Sequence, residues 1–300
     1  MTPELSPKLP GAAARARIVP SAEDLARLRD THPTHFQIVT RGGIATYGLL
    51  FALAALMAYG FWHLEFSLAR LGTGLGQLGH FITLMMPPDP GTQLPLYLHA
   101  LGETLAIAFL GTFAGAVIAL PFGLLAATNV VSNPIAHTLV RRVLDVLRGI
   151  DKLIWALIYV TVVGLGPFAG ILAIATASIG ELGKLFSEAV EAADRKPVEG
   201  VVSTGGSGLD AVRFGMLPQI LPVIGSQVLY YFESNARQST IVGIVGAGGL
   251  GLHLAEQIRM LEWQKVSFLI LMMLLMVAAI DFLSSRLRFS MIGRKDVHLS

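Results

Sequence analysis

Pro197-Val-Glu-Gly-Val-Val-Ser-Thr-Gly-Gly-Ser-Gly-Leu-Asp-Ala-Val-Arg-Phe-Gly-Met-Leu-Pro218 is a polar island between two long apolar stretches. Its glycines, hydroxyls and charges are those of a solvent-facing docking loop, and its flanks are those of helices immersed in lipid. The whole chain agrees: 53% of its residues are hydrophobic and only 14% are charged, which excludes an ordinary soluble domain and predicts an all-α polytopic membrane protein. A formal net charge of +2, with basic residues gathered at the ends and in two internal loops, fits membrane orientation and implies no nucleic-acid partner. Zero cysteines exclude disulfides, thiolate metal sites and cysteine nucleophiles.

Working outward from the island, the hydropathy pattern predicts about six spanning helices. Gly42 to Trp62 is the first uncharged run long enough to cross a bilayer. Residues 63–103 carry Leu64, Leu68, Leu71, Leu75, Leu78 and Phe81 at helical spacing, predicting an interfacial amphipathic helix outside that ends by Pro87-Pro88. A second span runs from Thr104 to about Thr128, and Asn133-Pro134 marks a turn. The run Leu153 to Gly180 is uncharged, is broken by Gly164-Leu-Gly-Pro167 and lies between two basic loops. One holds Arg141, Arg142, Arg148 and Lys152, and the other holds Lys184, Arg195, Lys196 and Arg213. Both loops belong inside by the positive-inside rule, so two crossings, helices three and four, are expected between them. Helix five is expected from Gln219 to Asn235 and the last from Trp263 to Ser285. Between these two lies the glycine-rich segment Gln238 to Ala255. A full crossing there would put Arg286, Arg288, Arg294 and Lys295 outside, so it is expected to be re-entrant or packed against its neighbours.

The expected organisation is a cytoplasmic N-terminal segment 1–43, a membrane domain 44–285 and a cytoplasmic tail 286–300, with 63–103 outside and the docking loop at 187–218 inside. Arg15, Arg17, Arg27, Arg29 and Arg41 precede the first apolar run, unlike a cleaved signal peptide, and Ser21-Ala-Glu-Asp24 reads as a capping box.

Within the island, Glu199 is followed six positions on by Gly205, and Leu217-Pro218 come twelve and thirteen beyond that. Glu191-Ala192-Ala193 spells a similar start but puts Pro197 where the glycine should be, and is set aside. Taken with Phe186-Ser-Glu-Ala-Val-Glu-Ala, Phe214-Gly-Met-Leu-Pro-Gln, Phe232-Glu-Ser-Asn-Ala-Arg and Val245-Gly-Ala-Gly-Gly-Leu-Gly, this spacing resembles the EAA loop and surroundings of phosphonate and phosphite ABC importer permeases. The departures are Gly200 and Val201 in place of two alanines, and Gly215 in place of an isoleucine.

The resemblance implies a type I ABC importer permease fold in the bacterial inner membrane, both termini cytoplasmic. It also implies that Glu199, Gly200, Thr204, Gly205, Gly206, Leu217 and Pro218 contact a separate ATPase, with Glu199 near the start of a short helix and Gly205 at a bend that a side chain would obstruct. The implied partners are two ATPase subunits, which would carry ATP and Mg, a periplasmic binding protein that delivers the substrate, and a second copy of the chain. No cofactor is implied in the chain itself. The related possibility is a methionine-type amino-acid importer, which shares the Gly-Ala-Gly-Gly-Leu-Gly string. An ion-coupled secondary transporter would call for inverted repeats and midplane ion ligands, and neither is visible.

Gly246-Ala-Gly248-Gly249-Leu-Gly251 matches a dinucleotide fingerprint after a strand-like Thr240-Ile-Val-Gly-Ile-Val, but it leads into another apolar helix, so close helix packing is the better reading. The resemblance places the segment near the translocation pathway. Glu233-Ser-Asn235-Ala-Arg237-Gln-Ser239-Thr240 is the most polar stretch of the apolar half. Such polarity at membrane depth marks either a pathway or a pair, Glu233 and Arg237, that neutralise one another. No P-loop, catalytic set or clustered metal ligands occur; His63, His80, His99, His137 and His253 are scattered singly.

Overall fold

The computed structural model describes residues 41–292 except Ser132. The Ser21–Asp24 capping box, the rest of residues 1–40 and the tail beyond 292 lie outside them. The regular secondary structure of the described residues is all helical, with no strand among them, and the chain divides into two units after Gln77.

The first unit holds α1, Arg41–His63, whose leucines, phenylalanines and tyrosines are exposed as a lipid-facing helix requires. A helix forms where the leucine spacing predicts one, as α2, Leu68–Leu84, with Arg70 paired to Glu65 at its start.

In the second unit α3 runs from Leu94 to Ala126. It starts ten residues before the expected Thr104, because Pro95 suits a first helical turn, and His99 and Glu103 form an i,i+4 pair at 3.4 Å that keeps the charges within the helix. The next long helix is α6, Pro167–Glu191. The two pack along a seam of small residues. A methyl group on Gly111 would lie 2.8 Å from the Ile174 side chain, one on Gly115 2.7 Å from Ser178 Cβ, and one on Gly123 2.7 Å from Phe186 Cβ. The backbones approach this closely only because these residues lack side chains. Position numbers rise together on both helices, so α3 and α6 are parallel, and the chain between them must travel back the length of the bundle.

That return is made by two helices in series. The expected basic loop over 129–150 is instead largely helical: α4, Pro134–Gly149, opens on Asn133, whose side chain accepts from the Ile135 and Ala136 amides, with Pro134 as its first residue. Its charges alternate with a strongly apolar side, which the charge count alone does not show. The expected third span is only α5, Lys152–Val163, whose 12 residues reach about 18 Å and are too few to cross alone. Both run antiparallel to α6. Arg141 meets Glu191, Leu144 fills the space above Gly183, Lys152 meets Glu181 and Tyr159 meets Thr176. Together α4 and α5 return along the length of α6, where the hydropathy pattern predicted a single spanning arm.

After the polar island, α8 runs from Leu217 to Val242, antiparallel to α6. Ile220 and Ile224 pack with Phe186 and Val190 at one end, and Val242 packs with Ala173 at the other. It therefore extends seven residues past the expected end at Asn235. The chain then turns and enters α9, Gly249–Arg259, at a bend of 59°. The final helix, α10, Trp263–Ile292, returns beside α3: Val266 and Leu269 pack with Tyr97 and Ala100, and Met276 and Ile280 with Ala108.

A polar hairpin and a buried polar core

The polar island folds into a compact hairpin at the end of the second unit where α6 stops and α8 starts. Asp194 caps α7, Arg195–Ser203, by accepting from the Lys196 amide. Glu199 sits in the middle of this helix, not near its start as expected. The helix stops in a Schellman turn: the Gly205 amide donates to Val202 O and the Gly206 amide to Val201 O. Gly205 carries φ +87°, and a methyl group added to it would meet nothing within 4 Å, so the demand for glycine here is conformational and not the steric obstruction expected. Gly206 is steric, because a methyl group would meet Val201 O at 2.8 Å, whereas Gly200 faces open space.

Ser207 and Asp210 then form a reciprocal capping box over the single turn Gly208–Asp210. A wide π-helical turn, Ala211–Met216, leads into α8 at Leu217-Pro218. The Gly215 departure from the family pattern has a reason in this packing: any side chain there would meet Val198 Cα at 2.8 Å, so the glycine lets α7 lie against the turn. Gln219 fastens the two ends together. Its amide nitrogen donates to Asp194 O (3.1 Å) and Gly215 O (2.7 Å), and its oxygen accepts from the Asp194 amide at 3.1 Å. The hairpin leaves Val202, Leu209 and Phe214 exposed, Leu209 at 82%. Thr204 is also exposed and turns its hydroxyl back to Val201 O.

At the other end of α8 the glycine-rich segment is a helix break. Gly246 (φ +99°), Gly248 (φ +84°) and Gly249 (φ +71°) turn the chain into α9, so the strand-like run that precedes them is the helical end of α8 and a π-helical turn. The first amides of α9 are satisfied from α3: Glu103 accepts from Gly249 N at 3.1 Å and Thr104 from Leu250 N at 2.8 Å. Thr240 O lies where any side chain on Gly251 would have to go, which locks α9 against α8.

The polar stretch of α8 divides between two sides. Glu233 is 3.6 Å from Arg237 and 3.2 Å from Arg288 of α10, and the Arg237 side chain remains 60% exposed. Asn235 points the other way into full burial, donating to Thr112 Oγ1 (2.8 Å) and Ser178 Oγ (3.0 Å) and accepting from Lys152 Nζ at 2.8 Å. Lys152, only 7% exposed in its side chain, also pairs with Glu181 at 3.0 Å. Although that approach is within ion-pair range, the buried Glu181 Oε2 makes no well-aligned hydrogen bond, so the interaction is mainly one of charge. Ser239 is buried and bonds Ala236 O. Asn235 thus ties α8 to α3, α5 and α6, Ser239 is satisfied within its own helix, and Arg237 faces outward.

Lys152 and Glu181 were not among the residues the sequence singled out. Lys152 follows three arginines and read as one more charge of a basic loop. The available signal was Asp151-Lys152 directly before an unbroken apolar run, an N-cap followed by a cation that the helix then carries inward.

The family model for the inner membrane component of binding-protein-dependent transport systems matches residues 119–292. Among curated relatives, HtxC of Stutzerimonas stutzeri, named for phosphite transport, is 39% identical over 241 residues, covering 80% of this chain and 85% of HtxC. The phosphite transport system permease PtxC of the same organism is 34% identical over 215 residues, covering 72% of this chain and 78% of its own. Among solved structures, an inward-facing MetNI methionine ABC transporter chain superposes with a TM-score of 0.58 at 22% identity, over 66% of this chain and 97% of that one, a likeness of fold.

Proposed function

Because this chain belongs to the family of inner membrane components of binding-protein-dependent transport systems, we propose that it is the membrane subunit of an ATP-driven importer for phosphite, phosphonate or a related phosphorus oxyanion. The substrate class rests on its similarity to HtxC and PtxC over most of its length. The observation that carries the mechanism is the hairpin: a short helix and turn whose two ends are fastened to α8 through Gln219, with Val202, Leu209 and Phe214 exposed, make a rigid lever with an apolar contact surface. A separate ATPase gripping Glu199, Gly200, Thr204, Gly205 and Gly206 would move α8 through Gln219, Leu217 and Pro218. One lever per chain calls for a second copy to engage the second ATPase. ATP and Mg belong to those ATPases, and a periplasmic binding protein brings the oxyanion.

In this reading the hairpin end of the bundle is cytoplasmic, as are both termini, and Gly91, just before α3, is periplasmic. Cells producing the chain with its ATPase and binding protein should take up radiolabelled phosphite or phosphonate. Failure with both, from cells in which the complex is assembled, contradicts the substrate assignment.

Two variants test the lever. Gly205→Val forces a β-branched residue into the left-handed region, at a cost of about 1 to 2 kcal/mol or more, and should abolish uptake while the permease still inserts. Gln219→Leu removes the tie without touching the exposed tip, so the ATPase should still copurify but uptake per ATP hydrolysed should fall severalfold. Normal uptake in either variant argues against a rigid lever.

A further inference from the structure

One face of α8 does not suit lipid. Gln227, Tyr231, Ser234 and Gln238 recur at spacings of four, three and four, which places them in one line along the helix. All four are partly exposed. Elsewhere the outward faces of the bundle are apolar, as with Phe109, Leu110 and Val117 on α3 or Leu271, Leu274 and Leu275 on α10. Amide and phenol groups turned to hydrocarbon are costly, and such a line at membrane depth is expected to meet water or protein.

Three observations indicate what it meets. Gln227 Oε1 is buried with no hydrogen-bond partner among the described residues, while Gln238 Nε2 has only Ser234 Oγ, at 3.2 Å. The Gln238 amide therefore keeps a proton for an incoming acceptor, while Gln227 keeps an unmet acceptor that water or another donor would fill. Lys152 Nζ lies 5.7 Å from the centre of the Tyr231 ring, so a cation stands directly behind the middle of the line. Its charge is offset by Glu181 and it is engaged by Asn235. Finally, an open cavity of about 470 Å³, lined in part by Leu157, Val245, Glu256 and Arg259, lies beyond the far end of α8.

We propose that the phosphorus oxyanion crosses along the Gln227–Tyr231–Ser234–Gln238 face of α8, with Lys152 held behind it and Arg237 at its edge. Phosphonate and phosphite carry several acceptor oxygens and a net negative charge. Amide and hydroxyl donors replace water around those oxygens, and a buried, partly neutralised lysine lowers the electrostatic barrier without a bare cation that would trap the ion. The four side chains are the specificity-determining contacts of the path, whereas Lys152 acts through the field it supplies. The substrate part of this assignment rests on the function proposed above; the watered face does not.

The sequence has no cysteine, so single cysteines can be placed at 227, 231, 234 and 238, with 229 and 232 as controls. The complete complex, in lipid nanodiscs, is treated with a charged water-soluble methanethiosulfonate and the permease is weighed by mass spectrometry. Labelling at the four line positions and none at the two controls is expected; absence of label along the line, as when lipid or a second copy covers it, overturns the proposal. Uptake supplies the second readout. The double variant Ser234→Ala/Gln238→Leu should lose uptake of phosphite while binding-protein-stimulated ATP hydrolysis persists, and Gln238→Asn should restore part of it when Ser234 is kept; unaltered uptake in the double variant also overturns the proposal. If the line is labelled as expected but the unmodified complex carries no phosphorus oxyanion, the path stands and the substrate class falls.

Discussion

Lys152→Met is expected to be among the most damaging single changes in the bundle, because it leaves the Glu181 carboxylate without its counter-charge and the Asn235 oxygen without its donor. Breaking a buried pair by removing one member typically costs about 3 to 5 kcal/mol, a large fraction of the stability of a typical domain. The same reasoning predicts a partial rescue. Lys152→Met combined with Glu181→Leu removes the stranded charge, so only the unmet Asn235 acceptor remains, at about 1 to 3 kcal/mol. Thermal unfolding of the purified chain in detergent should place the double variant clearly above the single one. If the single variant melts with the native protein, the Lys152 network is not a structural centre.

The second large effect is expected at the crossing of α8 and α9. A methyl group at Gly251 would be 1.9 Å from Thr240 O and 3.0 Å from Gly243 Cα, and both obstacles are backbone that cannot swing aside. Overpacking of a tight contact usually costs about 1 to 3 kcal/mol, and a backbone clash of this depth belongs at the top of that range. Gly251→Ala should therefore yield little folded protein. Gly102→Ala is the control: nothing lies within 4 Å of the added carbon on α3, so the change should be neutral or stabilise by about 0.5 to 1 kcal/mol. Equal yields and melting temperatures for the two variants would contradict the close crossing.

Much of this architecture was legible because membrane helices announce themselves by long apolar runs. Residues 46–63, 167–191 and 263–289, and the bent pair of helices joined at Gly248, all fall where hydropathy placed spans or a break. The hairpin was legible from the Glu199, Gly205 and Leu217-Pro218 spacing, although the sequence alone mistook why Gly205 is required. What escaped has a common cause: charge was taken as a marker of depth. Arg141, Arg142 and Arg148 lie on an amphipathic helix, where they pair with Glu191 and Asp145 and need no loop. Lys152, one helix start later, is carried into the core because Glu181, Asn235 and Ser178 wait there, contributed by segments distant in sequence. Periodicity along one helix cannot disclose such partners. Of the polar line on α8, Ser234 and Gln238 fall within the polar stretch legible in the sequence, whereas Gln227 and Tyr231 lie outside it, in the largely apolar run before Glu233.

Passage of a phosphorus oxyanion through the membrane, driven by an ATPase working the hairpin, is tested most directly in a purified system. The permease is reconstituted into liposomes with its ATPase and binding protein, and radiolabelled phosphite or phosphonate is offered on the binding-protein side. Accumulation that requires ATP and the binding protein together, and that disappears with Gly205→Val, is the predicted result. ATP hydrolysis stimulated by the binding protein with no accumulation of either oxyanion would contradict it.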